Sequence, residues 1–327
     1  MDKIYKTTNS QMKKLRSRGL AISGSRAKKI IEMENYYNLI NGYKNLFIDK
    51  TYTGPDEKYK NGTDFYEIYA LYLFDRELRN IFIRYILEIE NNVKSVLSHD
   101  FSKKYGHDNY LKIANFDTVL KPHENHKTQA QKLGEIADLI TNLQKEISRQ
   151  LSKNNPMISH HMLTYGYVPL WVLVNTLTLG TISTFYSYMV QRDQNDVGRK
   201  FNLKPEELTS ILFVLSIYRN ACAHDERLYN LRSVNKKGRP NMIKSNLIHS
   251  RLTLPKDSSG NYIYGKNDLF AIVIILKLML SKTSFGKFYY SVKHEIAKLE
   301  KQLTTITIDD VLHEMGFPKN WGQIKNI

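Results

Sequence analysis

The sequence predicts an all-α protein. Apolar residues recur at spacings of three and four along several stretches, which is the period of an amphipathic helix. The longest of these stretches, residues 64–105, contains neither proline nor glycine. A composition of 42% hydrophobic residues is that of a folded chain, and a length of 327 residues allows one large domain or two ordinary ones. We expect a basic N-terminal helical segment over residues 1–62 and a helical domain over residues 63–327.

The N-terminal segment is predicted to contain two short helices. The first begins at Ser10 and ends at Gly19, and its sequence SQMKKLRSRG is strongly basic. The second begins at a serine cap, either Ser23 or Ser25, and ends near residue 42. A loop rich in glycine, proline and aspartate follows over residues 49–63.

The larger region begins with one long helix, or two in line, over residues 64–105. A charged amphipathic helix follows, and Asn155 and Pro156 end it. Residues 233–265 carry turn residues, and we expect a small hairpin there in a basic loop that spans 232–265. Further helices are expected over residues 205–225, 267–281, 285–303 and 308–315.

One uncharged segment requires a membrane test, because no charged residue occurs between Asn154 and Gln191. Residues 168–190 could almost span a bilayer by length alone. They also contain Asn175, Pro169, Gly180 and four threonines, so one or two buried core helices are the better interpretation.

The single cysteine, Cys222, rules out a disulfide framework and favours a reducing compartment. The N-terminal residues lack the apolar core of a signal peptide. We therefore expect a cytoplasmic protein that does not enter a membrane.

Positive charge is concentrated in two segments. The net charge is +16, of which residues 1–30 contribute +8 and residues 232–256 contribute +7. Such segments attract polyanions through counterion release. They can also be ordinary solvated loops or bind an anionic membrane surface, but two acid-poor segments in one chain favour nucleic acid.

The helix predicted over residues 205–225 has two unequal faces. At 100° per residue, one stripe is apolar throughout and should face the core. It comprises Leu208, Ile211, Leu212, Leu215, Tyr218 and Cys222. The opposite stripe starts with Phe213 and Ile217 and then becomes Asn220 and His224, with Arg219 between the two stripes. A helix that is apolar on two faces is normally covered on both, and a second copy of the chain could supply that cover.

The polar end of this helix has two interpretations. A buried helix can simply end there, with His224 capping backbone carbonyls and Arg219 paired with Asp225 or Glu226. Alternatively, the end of the helix is a working site.

The sequence resembles a known family at this point. Arg219 and Asn220, followed after three residues by His224, look like the Arg-polar-x-x-x-His motif of HEPN ribonucleases. The segments YYNLINGYKNLFI, ILEIENNVKSVLSHDFSKKYG, VPLWVLVNTLTLGTISTFY and YRNACAHDERLYN occur in this order. Together they are similar to the Abi-like proteins of bacterial abortive infection, of the AbiD/AbiF type, over about residues 30–300.

The resemblance implies a HEPN-type helical bundle that cuts RNA without a metal or other cofactor. HEPN units pair so that two Arg–His motifs line one cleft, and because one such motif occurs in this chain, a homodimer is expected. The resemblance also implies phage defence by a toxin that a small structured RNA, encoded beside it, controls. RNA is therefore the expected partner, as controlling molecule and as substrate.

The chemistry of RNA cleavage suits the three motif residues. His224 is assigned to acid–base work because the imidazole pKa is near neutral, and Arg219 to the charge of the phosphorane because its planar fork holds two oxygens. Asn220 can orient the imidazole or bind phosphate, and Arg227 is a candidate phosphate contact. The expected product carries a 2′,3′-cyclic phosphate. The candidate RNA-binding residues in the basic segments are Lys13, Lys14, Arg16, Arg18, Lys28, Lys29, Lys236, Lys237 and Arg239.

Two other functions remain open. A degenerate HEPN fold could serve as an RNA-binding scaffold without catalysis, or a metal-dependent nuclease could be built on carboxylates. No clear metal motif supports the latter, since the pair His160 and His161 and the pair His123 and His126 lack further ligands.

The polar group Glu90, Asn91, Asn92 and Lys94 is unusual in an apolar helix. Glu90 and Lys94 can form an i, i+4 ion pair, or this group can support the active cleft.

Overall fold

The all-α prediction is confirmed. A computed structural model describes residues 5–121, 124, 126–235 and 237–327, and within them helices and turns occur without any strand. The helices are α1 (Thr8–Ser17), α2 (Gly24–Glu34), α3 (Phe65–Tyr105), α4 (Gln129–Ser152), α5 (Pro156–Tyr165), α6 (Leu170–Leu173), α7 (Leu179–Tyr188), α8 (Gln191–Lys200), α9 (Pro205–Ala223), α10 (Leu247–Arg251), α11 (Leu269–Met279), α12 (Lys282–Glu300) and α13 (Ile308–Glu314).

The central element is α3, a single helix of 41 residues. Its start is fixed by a capping box, in which the Asp64 side chain accepts from the backbone and the Glu67 side chain accepts from the Asp64 N–H. Gly106, at a φ of +88°, ends it in a conformation that other residues avoid. The helix packs against α6, α8, α9 and α12, and Lys104 near its C-terminal end contacts Asp193 of α8.

The helices α3 and α9 run antiparallel. Arg79 near the start of α3 contacts Asp225 just beyond the end of α9, and Glu90 further along α3 contacts Arg219 within α9. The buried side of this pair is completed by α11, in which every side chain from Leu269 to Leu276 is buried. This arrangement leaves one face of α9 uncovered.

The second N-terminal helix is shorter than the sequence predicts. It ends at Glu34, not near residue 42, because Asn35 has a φ of +61° and breaks the helical path. The chain continues as one turn of π-helix over Tyr37–Asn41 and a 3-10 helix over Lys44–Phe47. Leu39 and Phe47 are fully buried, so these turns belong to the same hydrophobic core as α3.

The uncharged segment forms three helices, α5, α6 and α7, where one or two buried helices were predicted. Gly166 adopts the left-handed conformation and ends α5, and Pro169 begins α6. In α5 the side chain of Ile158 is buried, while Leu163 and Tyr165 are exposed. The prediction of buried helices is therefore correct for α6 and α7 and wrong for α5.

The basic loop is more helical than predicted. Residues 247–251 form the short helix α10, with Asn246 as its cap. The expected hairpin reduces to an isolated antiparallel bridge between Lys256 and Tyr262, and a similar bridge joins Val234 and Pro240. Among the helices of the described residues, none is both long and apolar enough to cross a membrane.

Candidate functional site

The helix α9 has the two faces that its sequence predicts. The stripe from Leu208 to Tyr218 is buried against α3, α7 and α11. On the opposite stripe, Phe213 is 45% exposed, Ile217 is half-buried, and Asn220 and His224 are exposed. The surface that carries Asn220 and His224 is therefore open to solvent in the single chain.

A tight turn presents His224 at the end of α9. The backbone N–H of His224 donates to the carbonyl of Asn220 at 3.0 Å, which closes the last turn of the helix. Asp225 then adopts a φ of +56°, and the N–H of Glu226 donates back to the carbonyl of Ala221 at 3.0 Å. This left-handed termination fixes the backbone on both sides of His224, while its imidazole remains in solvent.

Arg219 is held by a buried carboxylate on α3. Its Nε donates to Oε2 of Glu90 at 3.1 Å, and the Glu90 side chain is only 3% exposed. Lys94 donates to the other oxygen of Glu90 at 2.7 Å. The alternative in which Arg219 pairs with Asp225 or Glu226 is not found, because Asp225 pairs with Arg79 and the backbone carbonyl of Glu226 also accepts from Arg79. The predicted i, i+4 pair of Glu90 with Lys94 is present, and Glu90 also binds Arg219.

The bond to Glu90 leaves most of the Arg219 guanidinium available. Within the described residues, Nη1 and Nη2 of Arg219 have no protein partner. These two nitrogens form the edge of the fork that can bind two oxygens of a phosphate. Glu90 fixes the inner edge of the guanidinium, so the outer edge points away from the buried carboxylate.

A second buried carboxylate, which the sequence analysis did not identify, anchors the turn after His224. Asp75 accepts from Nη1 of Arg79 at 2.6 Å and from the N–H groups of Leu228 and Tyr229 at distances between 2.6 and 3.2 Å. The hydroxyl of Tyr43 also donates to it, at 2.7 Å. Asp75 and Arg79 have i, i+4 spacing in an apolar helix, and this spacing could have predicted their ion pair from the sequence.

A cleft of about 490 Å³ opens beside His224. One wall is the turn after α9, and the other is the π-helical turn after α2. The lining residues are Tyr37, Asn38, Asn41, Gly42, Tyr43, Tyr72, Arg79, His224, Asp225, Glu226 and Arg227. Nη1 of Arg227 donates to the carbonyl of Gly42, and this bond ties the two walls together.

A second cleft, of about 710 Å³, follows α3 on the other side of the Glu90–Arg219 pair. Lys94 belongs both to this cleft and to the pair. Trp171 lies at its edge and is 49% exposed. Lys103 also lines this cleft, which therefore contains two lysines.

The candidate RNA-binding residues of the basic segments differ in their exposure and in whether other groups of the protein bind their side chains. Lys13, Lys29, Lys237 and Arg239 are exposed, and Lys14 and Lys28 are half-buried. Arg16 is exposed but donates from Nε to the carbonyl of Ile22 at 2.8 Å. Arg18 is the exception, since Asp56 and Glu57 bind its guanidinium and hold the N-terminal segment together. Lys236 lies outside the described residues.

The other histidine side chains considered from the sequence, and the cysteine, do not indicate a further catalytic or metal site in the part of the chain that the structure describes. His161 Nδ1 lies 2.8 Å from the carbonyl of Met157, and His160 Nδ1 lies 3.5 Å from the Thr164 hydroxyl. In the described part of the chain, no three histidine, cysteine or acidic side chains cluster as metal ligands would, and His123 lies outside that part. Burial raises the pKa of the Cys222 thiol to about 12, so this thiol is not a nucleophile.

The chain is therefore an all-α protein with a polar site, which contains Arg219 and His224, at the C-terminal end of α9. A family model described as "Abi-like protein" matches residues 29–230, which is more than half of the chain. The protein belongs to this Abi-like family. The match includes α3, α9 and the turn that Asp75 anchors. No curated protein and no solved structure gives a significant match to this chain.

Proposed function

We propose that this Abi-like protein is a metal-independent endoribonuclease of HEPN type that acts in phage defence. The observation that carries the proposal is the pairing of Arg219 with buried Glu90. This pairing fixes an arginine about one and a half turns before an exposed histidine, and it leaves two guanidinium nitrogens without a partner among the described residues. A purely structural arginine would be expected to use those nitrogens as well.

The proposed reaction needs no external nucleophile, since the 2′-hydroxyl of RNA attacks the adjacent phosphorus. His224 takes the proton of that hydroxyl or supplies a proton to the departing 5′-oxygen. Arg219 stabilises the additional negative charge of the phosphorane with its free fork. Asn220, exposed one turn before His224, can orient the imidazole or bind a phosphate oxygen. The bond from phosphorus to the 5′-oxygen breaks, and the product keeps a 2′,3′-cyclic phosphate.

The complete site is proposed to form in a homodimer. His224 follows Arg219 by five residues, a rise of about 7.5 Å along α9. One chain therefore offers a single narrow strip of catalytic groups. Exposed Phe213 and half-buried Ile217 precede this strip on the same face of α9. Contact between two such faces would cover these side chains and bring two Arg–His pairs to one groove.

The basic segments are proposed to hold a small structured RNA that controls the nuclease. Exposed Lys13 and Lys29 in the N-terminal helices, and exposed Lys237 and Arg239 in the basic loop, support this role. The charges of these side chains are available for phosphate contacts, which are insensitive to base sequence. Such an RNA would have to be recognised mainly by its shape.

The test is cleavage of total RNA by the purified protein in the presence of EDTA. The Arg219→Ala and His224→Ala variants should lose cleavage and toxicity, and Arg219→Lys should lose most of the activity because an ammonium lacks the fork. His294→Ala is the matched control, since His294 is exposed on α12, far along the chain from the motif. Cleavage by the double variant at the wild-type rate would show that the assignment is wrong, and loss of wild-type activity in EDTA would favour a metal-dependent nuclease.

A non-catalytic RNA-binding scaffold is the second candidate. The observation that favours it is that Arg227, the candidate phosphate contact beside the motif, is bound to the Gly42 carbonyl, whereas Lys13, Lys29, Lys237 and Arg239 of the basic segments are exposed. A scaffold would bind RNA with strong salt dependence and never yield cyclic-phosphate ends.

A further inference from the structure

The wall of the His224 cleft that faces the motif is formed by the π-helical turn after α2. Three of its side chains, Tyr37, Asn38 and Asn41, line the cleft. None of them carries a charge. Turns of π-helix inside a helical path often mark functional positions, because they displace side chains from the ordinary register.

Tyr37 is held in solvent by the structure around it. Its side chain is 67% exposed, whereas Leu39 and Ile40 beside it are fully buried. The backbone N–H of Tyr37 donates to Oδ1 of Asn35 at 2.9 Å, and Asn35 itself has a φ of +61°. These features fix the backbone at Tyr37, and the exposed ring lines the cleft.

The two asparagines next to Tyr37 have unused hydrogen-bonding groups. Within the described residues, neither the Asn38 nor the Asn41 side chain forms a hydrogen bond. An amide offers two donors and an acceptor, which matches the mixed donors and acceptors on the edge of a nucleobase. A tyrosine ring offers a face on which a base can stack.

The charges of the cleft separate a phosphate end from a base end. His224 and Arg227 lie on the wall formed by the end of α9. In the same turn, Asp225 is paired with Arg79, and Glu226 is exposed. The opposite wall is neutral and aromatic. A phosphate bound at His224 would therefore leave the opposite wall, with Tyr37, to the base.

We propose that Tyr37, with Asn38 and Asn41, forms a subsite for one unpaired base of the RNA, next to the phosphate that His224 serves. The subsite rests on the proposed function, because that function places the scissile phosphate. It restricts the substrate to single-stranded RNA, since a base within a duplex is stacked on its neighbours and cannot reach a tyrosine ring. Tyr37 is a binding residue in this scheme and takes no part in proton transfer.

The experiment measures binding without cutting. A short fluorescein-labelled single strand of RNA is titrated with the His224→Ala variant, and with the same variant carrying Tyr37→Ala, Tyr37→Trp or Tyr165→Ala. Tyr165 is an exposed tyrosine on α5 outside the cleft and is the matched control. Loss of one stacked base should weaken binding roughly 5- to 100-fold in Tyr37→Ala, while Tyr37→Trp and Tyr165→Ala keep the original affinity. In a chain with intact His224, Tyr37→Ala should raise KM by a similar factor and leave kcat within about threefold.

Equal affinity of the Tyr37→Ala and parent proteins for the single strand would overturn the subsite. So would equal binding of the single strand and of the duplex made with its complement. Failure of the proposed function is read separately, since it appears as the absence of any cleavage by the wild-type protein. The binding comparison decides the subsite in either case, and circular dichroism of each variant verifies the fold.

Discussion

Nη2 of Arg79 lies 2.6 Å from Oδ1 of Asp225, and Nη1 of the same arginine lies 2.6 Å from Asp75. One guanidinium thus connects a fully buried carboxylate of α3 to the residue that follows His224. Asp225 is 70% exposed on its side chain, and Asp75 is completely buried. The two bonds should therefore differ greatly in their contributions to stability.

The first prediction concerns this contrast. Asp75→Ala should lower the free energy of unfolding by about 3–5 kcal/mol, because it removes the buried partner of Arg79 and leaves the N–H groups of Leu228 and Tyr229 without their acceptor. Asp225→Ala should lower it by less than about 1 kcal/mol, as is usual for an exposed ion pair. Urea denaturation of the two variants measures both values. A loss of less than about 1 kcal/mol in Asp75→Ala would show that the turn after α9 does not depend on Asp75.

The second prediction concerns Glu90 and catalysis. Glu90→Gln removes the charge that fixes Arg219 and Lys94, so we expect kcat to fall on the order of tenfold or more while KM changes little. Glu77→Gln, on an exposed position of the same helix, is the control. Full activity in Glu90→Gln would show that Arg219 does not need this carboxylate for its alignment.

The third prediction concerns association through α9. Phe213→Glu places a charge on the exposed apolar stripe, and it should weaken a homodimer on the order of tenfold or more without unfolding the chain. Leu247→Glu is the control, since Leu247 is equally apolar and exposed on α10. Sedimentation equilibrium measures both. A wild-type chain that is monomeric at all concentrations and still cuts RNA would contradict the dimer.

The faces of α9 were predictable because they depend only on helical period. Its two stripes, the proline at its start and the exposure of Asn220 and His224 follow from spacing within 19 residues. The bond between Arg219 and Glu90 joins residues 129 positions apart. Several acidic residues could serve Arg219 equally well by sequence, and the tertiary packing of α9 on α3 decides among them.

The incorrect predictions for α2 and for the uncharged segment also have physical causes. The early end of α2 depends on Asn35 in a left-handed conformation. Asparagine tolerates this conformation, but the presence of an asparagine in a sequence does not predict it. The division of the uncharged segment could have been found, because Gly166 and Pro169 are ordinary helix-ending signals. The exposure of Tyr37 at the cleft could not be predicted from the sequence, since it depends on the π-helical turn.

The fourth prediction concerns Gly265, whose peptide groups are bound by two ionisable side chains. The imidazole Nε2 of His249 lies 2.9 Å from its carbonyl oxygen, and the carboxyl of Asp268 accepts from its N–H at 3.0–3.1 Å. Burial lowers the pKa of His249 to about 4 and raises the pKa of Asp268 to about 6. Both groups are therefore neutral in the folded protein between these two values.

The two shifts change stability with pH in opposite directions. Between about pH 4 and pH 6.5 the unfolded chain binds a proton at His249 that the folded chain does not, so stability rises with pH. Between about pH 4 and pH 6 the folded chain keeps a proton on Asp268 that the unfolded chain has released, so stability falls with pH. In the wild-type protein these two contributions should nearly cancel.

Asp268→Asn should expose the histidine contribution. Oδ1 of Asp268 accepts both from Gly265 and from Ala271, so an asparagine oxygen can keep both bonds. The free energy of unfolding of the variant should match that of the wild type near pH 4. At pH 7 the variant should be more stable by roughly 2–3 kcal/mol, because the burial of an ionised carboxyl opposes folding of the wild type and the variant has no such carboxyl. Urea denaturation between pH 4 and pH 7 measures this difference, with exposed Asp309→Asn as the control. If the variant and the wild type show the same slope of stability against pH, Asp268 is not protonated in the folded protein at mildly acidic pH.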